Sequence, residues 1–208
     1  MPNFSEPSNP VGSYNPCWMT NLYGASWSDH WNTCIQGSPT QTGADVLCNC
    51  TGYAQGRMLQ IYMEIYPNYD PATLGTHLFA TLNADAGPDW ITRAVAAGLQ
   101  ISSEPREGSV LVTGAPGYDG HVAVVERYDE NTGLWMVSES GWETLPAWVY
   151  HNSLYESGGH WYSSYATYPD VIGFILIPGV TPGPTPPPTP HPSAKWIYYM
   201  KNWNNELF

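Results

Sequence analysis

The sequence predicts an α+β fold in which one long helix packs on a meander of antiparallel strands. Three observations carry that expectation. Ala54, Met58, Ile61 and Ile65 recur at helical spacing and form one apolar stripe through residues 49–66. Short apolar, β-branched runs follow at 109–113, 121–127, 133–139 and 171–177. Between the second and third of these runs lie the turn-forming residues Tyr128, Asp129, Glu130, Asn131 and Thr132, which read as a hairpin loop.

Each element has its own justification. Pro67 ends the first helix, because proline has no N–H to offer the helical ladder. A second helix is expected from Pro88 or Asp89 to Ala97, with proline favourable at its start and Gly98 as its stop. Residues 1–47 are rich in Pro, Asn, Ser, Gly and Trp with weak periodicity, and read as an irregular arm on a domain spanning 1–178. The proline-rich stretch 179–193 reads as an extended linker. Residues 194–208 are too few to build a core and read as the start of a C-terminal module or a short tail.

Charge narrows the partners. The 208 residues carry a formal net charge of −12. Such a chain is repelled by phosphate backbones, so no nucleic acid partner is expected. The first ten residues hold no basic region and no apolar run, so neither a signal peptide nor a membrane span is expected. The cysteines are Cys17, Cys34, Cys48 and Cys50. Cys48 and Cys50 form C-x-C without a second close pair of ligands, which argues against structural zinc. A Cys17–Cys34 disulfide stays open at this level.

Chemistry points to Cys50. A thiol is a good nucleophile only as thiolate, and both a helix N-terminus and a neighbouring imidazolium favour that form. Cys50 lies at the start of the first helix, four residues before Ala54 and on the same stripe. His121 opens the second strand. If the hairpin closes symmetrically on a five-residue loop, Arg127 pairs with Gly133, Val125 with Trp135, and His121 falls directly opposite Glu139. A carboxylate there holds one imidazole nitrogen and leaves the other for the thiol. Glu126, the rival acid, lies five positions on and points to the other face. Gly117 and Gly120 before His121 would leave room for a substrate backbone. Trp90, Trp142 and Trp148 are candidates to line a substrate groove, with core packing as the alternative for each.

These residues resemble a known family. Asn49-Cys50-Thr51-Gly52-Tyr53-Ala54 with Gly56-Arg57, then Gly120-His121-Val122-Ala123-Val124-Val125-Glu126, then Val137-Ser138-Glu139-Ser140-Gly141-Trp142 are similar, in order and spacing, to the CHAP domain. That is the cysteine, histidine-dependent amidohydrolase/peptidase of phage lysins and bacterial wall hydrolases. Asn83 to Trp90 and Pro105 to Val110 resemble its connecting segments, and the likeness covers about residues 30–178. It implies a papain-like fold, with the cysteine-bearing helix on an antiparallel sheet that bears the histidine. It implies Cys50 as nucleophile, His121 as base and Glu139 as the acid orienting it. Trp142, Trp90, Tyr53 and Gly120 are the expected substrate contacts. Some members place an Asn two residues after the acid, where this chain has Gly141. Some bind calcium just before the cysteine, but residues 41–47 offer only Asp45, so no metal and no cofactor are expected.

The expected activity is cleavage of an amide bond in the peptide of Gram-positive peptidoglycan through an acyl-enzyme. An endopeptidase comes first, with an N-acetylmuramoyl-L-alanine amidase as alternative. The expected setting is a phage endolysin, or a tail-associated lysin, made in the host cytoplasm and acting on the wall as a monomer with a further targeting module. The rivals are an Nlp-type cell-wall cysteine peptidase and a non-catalytic wall-binding module on the same fold. Ser138-Glu139-Ser140 in place of a second His weighs against the first, and an intact Cys50, His121 and Glu139 against the second.

Overall fold

The computed structural model describes residues 4, 50–69, 79, 81–82, 87–114, 120–139, 149–163 and 170–180, with backbone alone at 52 and 149–152. The expectations for most of the arm 1–47, for 181–193, for the module at 194–208 and for Cys17, Cys34 and Cys48 lie outside these residues. Among the described residues no helix is long and apolar enough to cross a membrane.

Among the described residues two helices and seven strands are formed. Helix α1 is Cys50–Ile65 and α2 is Pro88–Ala96. The strands are β1 Gln100–Ser102, β2 Val110–Thr113, β3 His121–Asp129, β4 Leu134–Glu139, β5 Val149–Ser157, β6 His160–Ser163 and β7 Val171–Leu176. They form one sheet in the order β1-β7-β2-β3-β4-β5-β6, with every pairing antiparallel. This is the α+β arrangement the sequence predicts.

Helix α2 stops as expected. Gly98 adopts φ 78°, a conformation that costs other residues strain. Its N–H bonds the Val95 carbonyl at 3.0 Å, and the Leu99 N–H reaches back to Ala94 at 2.9 Å. Two carbonyls of the last turn are thereby satisfied. The same turn leads the chain directly into β1.

The sheet buries both faces, and the alternation of side chains sorts the residues between them. Val110, Val112, Val122, Val124 and Ile175 pack against Tyr53, Ala54, Met58 and Ile61 of α1 and against Trp90 and Ala94 of α2. Burial of each such large apolar side chain contributes roughly 1.5–3 kcal/mol. Leu111, Ala123, Val125, Trp135, Val137, Leu154 and Phe174 form a second cluster on the opposite face. No described helix covers that cluster; the sheet curls over it. Trp161 of β6 meets the ring of Phe174 in β7 at a centroid distance of 6.2 Å, although four strands separate β6 from β7 in the hydrogen-bonded order. An isolated bridge from Tyr162 to Asp170 closes the same seam. Burial on both faces explains why β2 and the first half of β3 read as unbroken apolar runs.

At the chain's edges, Phe4 packs against the helix-side core, and a Cβ on Gly108 would lie 2.6 Å from its ring. Val180 is also buried in that core, so packing continues two residues into the stretch 179–193.

Candidate functional site

Three elements deliver one candidate side chain each, all from their ends. Cys50 is the first residue of α1, His121 the first of β3 and Glu139 the last of β4. Because β3 and β4 run antiparallel, the start of one and the end of the other lie at the same end of the sheet. Cys50 is partly exposed, and the first turn of α1 carries no acidic residue to oppose the positive end of the helix dipole.

The hairpin brings His121 and Glu139 together by a different register from the symmetric one. The turn is residues 130–133, with Asp129 paired to Leu134, and Tyr128 belongs to the strand. A β-bulge between Val125 and Arg127 then shifts the ladder, so that Val124 faces Ser138 and Val125 faces Val137. The expected pairs of Arg127 with Gly133 and Val125 with Trp135 are therefore not formed. Continued along β3, this register sets Glu139 level with Ala123, diagonal to His121 rather than opposite it. The net offset from the symmetric register is two residues, and an even offset keeps both side chains on one face. Diagonal neighbours stay within reach when both side chains are long. His121 Nε2 and Glu139 Oε2 are 2.5 Å apart.

Glu139 is 2% exposed and His121 20% exposed at the side chain. Burial works against charge on the imidazole. The Glu139 carboxylate, hydrogen-bonded to the ring, and the neighbouring Cys50 outweigh it and push His121 from its ordinary 6.5 up to about 10. With Nε2 committed to Glu139, Nδ1 is the nitrogen left to face the Cys50 sulfur. The order sulfur, imidazole, carboxylate is thus present as a chain of neighbours in which the imidazole is hydrogen-bonded to the carboxylate. Such a chain can hold an imidazolium beside a sulfur nucleophile and pass its proton to a leaving group.

The expected substrate contacts fare differently. Trp90 is fully buried in the helix-side core and presents no face to a ligand. Tyr53 is also fully buried, and its hydroxyl donates to Ser138 Oγ at 2.8 Å. The room expected at Gly120 is taken up by the protein's own backbone. A Cβ there would overlap the Thr113 carbonyl oxygen and lie 2.5 Å from Gly87 Cα. Gly120 thus lets β3 start against Gly87 and Thr113 and so sets where His121 begins. Trp142 and Trp148 lie outside the described residues, as does the stretch 41–47. Among the described residues no group of three or more His, Cys, Asp or Glu side chains is placed to hold a metal ion.

Sequence reasoning did not anticipate the buried polar network behind the site. Glu126 does point away from His121, toward α1. There it takes a two-pronged ion pair from Arg57, Nε to Oε1 at 3.0 Å and Nη2 to Oε2 at 2.8 Å. Ser138 donates to the same Oε1 at 2.5 Å. The available signal was an arginine within a buried helix stripe, since a buried guanidinium requires a carboxylate.

Residues 39–141 match the family model of the CHAP domain, a span that contains Cys50, His121 and Glu139. No curated protein and no solved structure matches the chain. With its match, its α+β fold and its cysteine at a helix start, the chain carries a CHAP domain, which makes it a peptidoglycan hydrolase-like amidase or peptidase.

Proposed function

We propose that the protein hydrolyses an amide bond in the peptide part of Gram-positive peptidoglycan, with Cys50 as nucleophile, His121 as acid and base, and Glu139 as the residue that orients and charges the imidazole. The observation that carries this reading is the His121–Glu139 pair, its ring nitrogen and carboxylate oxygen 2.5 Å apart, beside Cys50 at one end of the sheet. The sulfur of Cys50 attacks the amide carbonyl, and its electron pair forms the new C–S bond. The carbonyl electrons move onto oxygen, and the backbone N–H of Cys50 at the start of α1 helps hold the charge. His121 then gives its proton to the departing amine as the C–N bond breaks, leaving a thioester. Neutral His121 takes a proton from water, the hydroxide adds to the thioester, and release of the thiolate restores the pair.

Endopeptidase cleavage is the first assignment and N-acetylmuramoyl-L-alanine amidase the second. A phage lysin, endolysin or tail-associated, is the setting we assign. A net charge of −12 gives no attraction to an anionic wall, so a separate targeting element would supply local concentration.

The test is digestion of purified peptidoglycan by the parent protein and by Cys50→Ala, with mass spectrometry of the products. New amino groups on bridge or stem residues mark an endopeptidase, and peptides freed from the lactyl group mark the amidase. Cys50→Ala is expected to lose at least ~1,000-fold in turnover, as removal of a covalent nucleophile does. Full lysis by Cys50→Ala overturns the assignment.

A further inference from the structure

We infer that Tyr53, Ser138, Glu126 and Arg57 form a buried positioning network that holds the cysteine-bearing helix against the two strands carrying His121 and Glu139. The inference rests on the catalytic roles proposed above and adds residues that never touch substrate.

The connections join every element that supplies the site. Tyr53 lies one helical turn beyond Cys50 on α1, and Arg57 one turn beyond Tyr53. Tyr53 donates to Ser138, which is the neighbour of Glu139 on β4. Arg57 clamps Glu126 on β3, the strand that begins with His121. Ser138 donates to Glu126, closing the path between the two strands. Tyr53, Arg57 and Ser138 are fully buried and Glu126 is 8% exposed. Burial shields these bonds from bulk solvent.

Apolar contacts alone would hold α1 on the sheet without fixing its slide, because they are non-directional. Hydrogen bonds at two successive turns of α1, one to each strand, fix both its slide and its rotation. The chemistry needs that precision: a misplacement of ~1 Å costs about 100-fold in rate. Ser138 has a second lever. It anchors β4 one residue before Glu139, so it sets how closely the carboxylate approaches His121. Loss of the anchor is therefore expected to lower the histidine's proton affinity as well as the rate.

The experiment uses the full chain with Tyr53→Phe, Ser138→Ala and Ser138→Thr, each compared with the parent by two readouts. The first is the titration of the His121 ring by NMR, assigned with His121→Asn. The second is kcat and KM on soluble wall fragments. Tyr53→Phe and Ser138→Ala are expected to lower the His121 midpoint by ~0.5–1 unit and kcat by ~10-fold with KM unchanged, as a lost orienting hydrogen bond would. Ser138→Thr, which keeps the hydroxyl, is expected to restore both. Tyr53→Phe removes a single oxygen, so it remains informative if Ser138→Ala does not fold. A lowered melting temperature with an unmoved His121 midpoint and unchanged kcat would show a merely structural role and overturn the inference. The titration needs no activity. Lysis by Cys50→Ala would sink the functional reading, whereas an unmoved midpoint sinks only the network.

Discussion

Replacing Glu139 by Gln removes one charge while keeping the side chain's size and an oxygen that can accept from His121 Nε2. The size of the effect follows from the contact. Glu139 is 2% exposed and its Oε2 lies 2.5 Å from the ring nitrogen. Both charges are spread over their groups, so an effective separation of about 4 Å is appropriate. At an effective dielectric of about 20 that attraction is about 4 kcal/mol. Since one pK unit corresponds to ~1.4 kcal/mol, the alkaline limb of kcat/KM is expected to fall by ~2–3 units. In the parent that limb reports loss of the imidazolium at about 10. The assay is a pH profile of amide cleavage on soluble wall fragments for parent and Glu139→Gln. A limb that stays within about half a unit of the parent's would refute the claim that the carboxylate sustains the charged ring.

The same shift links to stability, and its sign is fixed. The folded protein holds the His121 proton up to about 10, whereas an unfolded histidine releases it near 6.5. The stabilisation is therefore fully present below about 6.5 and disappears as pH rises toward about 10. The stability gap between parent and Glu139→Gln, measured by denaturant unfolding, is expected to narrow across that window.

Two further predictions concern the scaffold. Arg57→Ala leaves the Glu126 carboxylate buried without its bidentate partner and is expected to cost about 3–5 kcal/mol in urea unfolding, with much of it recovered in Arg57→Met/Glu126→Leu. Gly120→Ala forces the start of β3 away from Gly87 and Thr113 and is expected to reduce kcat at least ~10-fold. Unchanged activity in Gly120→Ala would show that the close backbone contact does not set the place of His121.

Local signals made much of this molecule legible beforehand. The apolar stripe of α1, its ending at Pro67, the Pro88 start and Gly98 stop of α2, and the apolar runs of β2, β3, β4 and β7 all depend on neighbours within a few residues. Their observed bounds differ from the expected ones by a residue or two. The edge strands β1 and β6 and the neighbouring β5 were not anticipated, since their residues alternate weakly and gain their pairing from distant partners. The pairing of His121 with Glu139 was legible for an incomplete reason: the face was right, while the register turned on a shorter turn and a bulge at Glu126.

Trp90, Tyr53 and Gly120 show the limit of composition. An aromatic ring suits a ligand groove and a core equally well, and a glycine leaves space that either a substrate or a neighbouring strand can fill. Residue order alone specified the helix that begins at Cys50, the strand that begins at His121 and the acid eighteen residues later, because each is written in short-range pattern. Only the tertiary structure decided that Tyr53 and Trp90 turn inward, that backbone closes over Gly120, and that Arg57 meets Glu126 across sixty-nine residues of chain. Such contacts depend on how the sheet curls and where the helix lands, which no local stretch of sequence encodes.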